Sequence, residues 1–487
     1  MNFNSGAFLL FLPAVVGVYW LLPHRLRRVW LLLASWFFYM YWNPLLILLL
    51  LTSTVIDYFC GLGLESRKDC PRVRRALLFV SICMNLGILF FFKYWNFFGA
   101  AADAMLAWLG VGWRVPELDL ILPVGISFYT FQTMSYSIEV YRGHAPAERD
   151  FISFALFVSF FPQLVAGPIE NPQDLLPQLK AEHRLDREDI RAGCRLLLCG
   201  FFRKCVAADL CGIYVNAVFA DAADANGLAV ALAGALFCLQ MYCDFAGYSE
   251  IAAGAARLMG VRLIRNFDRP YLSQSYGEFF RRWHISLNRW FTNYLYIPLG
   301  GGRKGLFRKL LNTVIVFALC GLWHGARWTY VLWGLYAAFF VCLESLLKKP
   351  AGRLADKLSL DLENPLVVLV RRVYMFLIFI PAALIFRAES TAQLGLLLKR
   401  LFLGGGDPNA AFQTLGLSGP SLIALVLTLA AMNTLHIWGD YDLPAPDTDT
   451  DTARRLVSVA QAVAVIALSW LALLATQDAV GFAYFQF

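Results

Sequence analysis

Apolar runs alternate with short polar stretches along the whole chain, at 7–22, 29–43, 44–62, 76–97, 119–140, 150–167, 190–215, 227–256, 311–345, 367–386, 420–438 and 456–476. A run of about 18–20 apolar residues is long enough to cross the hydrocarbon core as a helix. Within lipid only helices and closed barrels satisfy every backbone polar group. The pattern therefore predicts an all-α polytopic membrane protein, one domain over 1–487 with its core motifs in 119–346 and C-terminal helices over 367–487. Because some runs break or re-enter, the expectation is about eleven crossings. Between 266 and 305 the pattern changes, and aromatic, arginine and amide residues alternate with little apolar continuity. Polar backbone at that depth survives only when buried in protein or lining a wet cavity. A funnel or re-entrant element is predicted there, reached from the cytoplasmic side, with Pro298 and Gly300-Gly301-Gly302 ending its last helix.

Composition agrees with this picture. Of 487 residues 59% are hydrophobic and 16% charged, against about 45–50% and 25% in soluble proteins. The net charge of +8 does not point to nucleic acid, because the Lys and Arg sit in short clusters between apolar runs. Arg25, Arg27 and Arg28, then Arg67, Lys68, Arg72, Arg74 and Arg75, and later Lys348, Lys349, Arg353 and Lys357 mark cytoplasmic loops. That places both termini outside and the loop 440–455 in the cytoplasm. The run 7–22 lacks a small-residue cleavage site, so it is a retained helix. The segment 182–204, with Arg184, Arg187, Arg191, Arg195, Arg203 and Lys204, suits an amphipathic helix that anchors topology or attracts a phosphate-bearing donor. A short interfacial helix is expected over 392–402, with a plain loop at Gly404-Gly405-Gly406. The eleven cysteines lie mostly inside apolar runs without ligand spacing, as small buried hydrophobes.

Polar, titratable groups at bilayer depth cost roughly 2.5–3.5 kcal/mol each on insertion scales, so they tend to have a task. Of the six histidines, His24, His183, His144 and His436 fall in loops or at helix ends, where structural roles prevail. His324 lies within an apolar run beside Trp323, with Gly321 and Gly325 at a spacing that permits close helix approach. A neutral imidazole there can take a proton from a hydroxyl; a helix-packing histidine fits equally well. His284 stands in Phe279-Phe280-Arg281-Arg282-Trp283-His284-Ile285-Ser286-Leu287-Asn288-Arg289-Trp290, and on one helix Arg281, His284 and Asn288 would share a face. This group could offer donors to an anionic or carbonyl oxygen, or anchor the cytoplasmic face. Asp244 and Glu250 interrupt another apolar run, and Asp244 could pair with an arginine, orient an imidazole or form a plain buried ion pair.

At these residues the chain resembles the membrane-bound O-acyltransferase family, in its bacterial branch that acetylates alginate and peptidoglycan. The resemblance is carried by Pro123-Val124-Gly125-Ile126-Ser127-Phe128-Tyr129-Thr130-Phe131-Gln132 and by 162–168, 240–250, 266–271, 281–302 and 322–334, in the family's order. It implies a ring of tilted helices around a central funnel. His324 maps to the family's characteristic histidine and His284 to its second motif position. Arg281, Arg282, Asn288, Asp244 and Trp323 are then supporting or donor-binding residues. The implied donor is acetyl-CoA, with no bound cofactor and no metal. The implied partner is a periplasmic SGNH-type acetyltransferase, and through it an extracytoplasmic polysaccharide. Asn288 stands where the branch commonly has Ser or Thr, and Thr292-Asn293 where it has Arg-Asp, which leaves acceptor choice open. One alternative is D-alanyl transfer from a carrier-protein thioester. A transporter is the other, and the absence of a second copy of either histidine segment speaks against it.

Overall fold

A computed structural model describes residues 1–438, and every regular element there is helical. Six helices are long and apolar enough to cross a membrane: Pro44–Ser66, Pro71–Trp108, Gly227–Arg257, Leu306–His324, Trp328–Lys357 and Pro365–Arg387. The pair Pro408–Leu415 and Gly419–Met432, bent by 79°, makes a seventh if it is one span. The chain is a multi-pass membrane protein, and by these criteria the described residues hold fewer spans than the expected eleven. Several apolar runs fold differently, for local reasons. The run 150–167 is cut into Phe151–Ser159 and Phe161–Leu164 ahead of Pro162. In 119–140 the helix starts only at Ile126, after a left-handed Gly125. The run 311–345 is two helices, because the chain turns at Gly325. His436 lies at the edge of the described chain, and the loop 440–455, the run 456–476 and the C-terminus fall outside it.

The described residues gather into two compact units, Met1–Leu198 with Tyr248–Ile264, and Cys199–Gly247 with Arg265 to the end of the described chain. The first is cross-linked by a buried polar cluster that no sequence motif announced. Asp57, fully buried, accepts from Ser81, from Ser137 at 2.8 Å and from the Asn85 amide at 2.6 Å. The amide oxygen of Asn85 accepts from Ser53 at 2.7 Å and Thr133 at 3.0 Å. Helices Ile47–Ser66, Pro71–Leu89 and Ile126–Arg142 are thereby joined by hydrogen bonds that leave the carboxyl satisfied away from water.

The second unit is built on a hairpin of Leu306–His324 and Trp328–Lys357. Glycines let the two backbones touch. A Cβ on Gly321 would lie 2.2 Å from the Tyr330 carbonyl oxygen, and one on Gly334 2.2 Å from that of Phe317. Gly325 caps the first helix instead of extending its face, and its Cβ would meet the Tyr330 ring at 2.3 Å. We expect Gly334→Ala to force the helices apart at a cost of about 1–3 kcal/mol, read as a lower melting temperature of the detergent-solubilised protein; an unchanged midpoint would contradict the contact. Rings pack beside the hairpin, with Phe379 4.7 Å from Tyr276 and 4.0 Å from Phe279.

Candidate functional site

The stretch around His284 is not one helix. Tyr276–Arg282 begins at Ser275, whose hydroxyl accepts from Glu278 N at 3.1 Å, and Glu344 accepts from the amides of Tyr276 and Gly277. It ends where Trp283 N bonds Phe279 O, and a second helix, Ile285–Phe291, follows. Between them His284 takes the left-handed conformation, φ 46° and ψ 55°. Such a backbone costs on the order of 1–3 kcal/mol outside glycine and persists only where the surroundings hold it. The segment 266–268 does the holding: Ile285 N bonds Asn266 O and Asp268 N bonds Arg282 O, both at 2.9 Å. The break corrects the expected shared face of Arg281, His284 and Asn288. Asn288 stays with His284, its backbone N–H donating to His284 O at 3.0 Å. Arg281 is exposed, and Arg282 pairs with Glu278 at 2.8 Å.

His324 is the last residue of its helix. The carbonyl end of a helix favours positive charge by about 0.3–1 kcal/mol, and so the protonated form of an imidazole placed there. Two cavities meet at this side chain. One is apolar and walled by Trp283, Met241, Cys238, Tyr271, Phe379 and Phe386 among others. The second is lined by His284, Asn288, Phe280, Leu287 and Cys320. His324, Trp283 and Trp333 line both. Trp323 lies beside both imidazoles, 5.9 Å from His284 and 5.1 Å from His324 between ring centres. His284 is 2% exposed, packs edge-on at 4.7 Å to Phe245, and lies outside the six spans. Burial, and after it the nearby His324 imidazole, hold its pKa well below the usual histidine range, so it is neutral.

Of the residues predicted for the site, His324, His284, Asn288 and Trp323 are thus brought together. Asp244 is placed elsewhere: fully buried, it forms an ion pair at 2.9 Å with Lys204, which also donates to Asp209 at 2.8 Å. The segment 182–204 does carry a helix, Arg187–Phe201, with Arg187 and Arg191 exposed, but Arg203 and Lys204 beyond its end are 2% and 1% exposed and belong to the interior. Sequence reasoning missed Asn266, Trp333 and Phe386. Asn266 opens the irregular stretch, which was a signal; Phe386 sits in an ordinary apolar run, Pro365–Arg387, and gave none.

Residues 37–380 match the sequence profile described as MBOAT, membrane-bound O-acyltransferase family. The chain belongs to the membrane-bound O-acyltransferase family. It is 37% identical over 437 residues to a probable alginate O-acetylase AlgI of Pseudomonas putida, covering 88% of this chain and 87% of that protein. A probable alginate O-acetylase AlgI of Azotobacter vinelandii is 38% identical, with 80% of this chain and 76% of the relative covered. A peptidoglycan O-acetyltransferase of Helicobacter pylori is 34% identical, with 68% of each covered. As a membrane-bound O-acyltransferase the protein needs a base for a hydroxyl, a place for an acyl donor and polar groups for the developing oxyanion. The two cavities around His324 supply candidates for each.

Proposed function

We propose that this acyltransferase moves acetyl from cytoplasmic acetyl-CoA across the inner membrane for O-acetylation of an extracytoplasmic polysaccharide, with His324 as general base. The observation that carries this reading is the position of His324 at the meeting of two largely apolar cavities, one of which also presents His284 and Asn288. The cavity walled by Phe379 and Phe386 suits the thioester arm of the donor, and the other, with Asn288 and His284, suits a hydroxyl and the oxyanion. His324 takes the hydroxyl proton as the oxygen attacks the thioester carbon. The tetrahedral oxyanion accepts a hydrogen bond from the Asn288 amide, then collapses, and the departing thiolate receives the proton back from His324. Arg281, exposed at the end of its helix, suits the donor's phosphates. The acceptor is polysaccharide alginate- or peptidoglycan-like in kind, reached through a periplasmic SGNH-type partner, and the N-terminus faces the periplasm.

The test supplies the purified protein in lipid with acetyl-labelled CoA or with a labelled aminoacyl carrier thioester. Label transfer from acetyl-CoA to a periplasmic acceptor is expected, with none from the carrier. Transfer only from the carrier thioester would favour the D-alanyl reading, and solute flux into liposomes without transfer would favour a transporter.

A further inference from the structure

We propose that Asn266 is a positioning residue that locks His284 in one tautomer, protonated at Nδ1, so that its Nε2 is a hydrogen-bond acceptor. The orientation of the Asn266 amide follows from its neighbours. The backbone N–H of Ser286 can only donate, and it lies 3.2 Å from the Asn266 side chain, so the atom facing it is the oxygen. The Ser286 hydroxyl donates to the same Oδ1 at 3.0 Å. That oxygen carries no proton, and it stands 3.3 Å from His284 Nδ1. The ring nitrogen therefore satisfies the contact as an N–H. Ser286 Oγ, 3.5 Å from the same nitrogen, has committed its one proton to Asn266 at the shorter distance, so it too can only accept from the ring. These two side-chain neighbours of Nδ1 are both acceptors. A buried neutral imidazole has one N–H, and Nε2 is left with the lone pair.

Asn266 is itself held in place. It is fully buried, and its carbonyl oxygen takes the amide of Ile285, the residue that follows the left-handed turn. Main chain and side chain of one residue thus fix both the backbone and the ring of His284. The consequence for transfer rests on the reading of the site proposed above; the tautomer does not. An acceptor at Nε2 can receive a hydrogen bond from a hydroxyl or from a protonated group in the cavity it shares with His324. It cannot donate to an oxyanion while neutral, and that duty passes to the Asn288 amide.

The experiment uses full-length protein labelled with 15N-histidine in lipid, examined by solid-state NMR, with a His284→Gln sample to identify the His284 signals by difference. A neutral ring protonated at Nδ1 is expected. Asn266→Asp, which keeps an acceptor oxygen in place, should preserve the Nδ1 proton and most of the transfer. Asn266→Leu should mix or invert the tautomers and lower transfer by roughly 10–100-fold, the usual cost of losing a histidine's outer partner. A proton on Nε2 in the unmodified protein, or unaltered His284 signals in Asn266→Leu, would overturn the assignment. The spectrum of the unmodified protein decides the matter even if Asn266→Leu does not fold. Failure of acetyl-CoA as donor would leave these spectra unchanged, so the two proposals fall separately.

Discussion

His324→Ala is expected to lower acyl transfer by roughly 10²–10⁴-fold, the usual worth of a positioned general base, while the protein stays folded. A structural histidine would behave differently. The ring of His324 touches its surroundings edge-on, at 5.2 Å to Trp333 and 5.3 Å to Phe386, and it borders open volume on two sides. Removing it enlarges a cavity that already exists and leaves the hairpin glycines in contact, so the melting temperature should fall only slightly. His324→Gln separates volume and hydrogen bonding from basicity, since an amide fills the space without taking a proton at neutral pH. Both variants are expected to lose transfer together. A well-folded variant of either kind that turns over at the normal rate would remove His324 from the reaction. His284→Ala is the informative comparison: a larger fall there than at His324 would exchange the roles of the two imidazoles.

How much of this was legible in the chain depends on the range of the interactions. The irregular element at 266–305 was legible because polar residues interrupt apolar ones locally, and its end before Pro298 follows from proline and glycine chemistry; the last helical turn closes at Tyr296. The close approach at Gly321 was legible from spacing, although its neighbour Gly334 on the facing helix was not singled out. The break at His284 was hidden, since Trp283, His284 and Ile285 all tolerate a helix and the left-handed turn is imposed by Asn266, distant in sequence. The turn at Gly325 was hidden for a related reason: two helices joined by a very short connection read as one long apolar run. Asp57 shows the limit most plainly. A lone carboxyl in an apolar run says that partners exist, but Ser81, Asn85 and Ser137 come from other helices.

Lys204→Met is expected to be the most damaging substitution for stability among the buried charges. The Lys204 side chain is 1% exposed and lies between Asp244, at 0%, and Asp209, at 13%. Deleting the cation leaves carboxylates facing each other without it, and breaking a buried pair in this way typically costs about 3–5 kcal/mol. Lys204→Met should therefore yield little monodisperse protein in detergent. Asp244→Asn is milder, because Lys204 keeps its hydrogen bond to Asp209 and the amide occupies nearly the same space. The double variant Lys204→Met with Asp244→Asn carries less uncompensated charge and should regain part of the lost yield. Equal loss in the single Lys204→Met and the double variant would mean that the pair is not coupled as the geometry implies. The same set decides what Asp244 is for. If Asp244→Asn folds and transfers acyl groups at close to the normal rate, its carboxylate serves the interior; if it folds normally yet loses transfer a hundredfold, the carboxylate supports the reaction despite standing apart from both imidazoles' cavities.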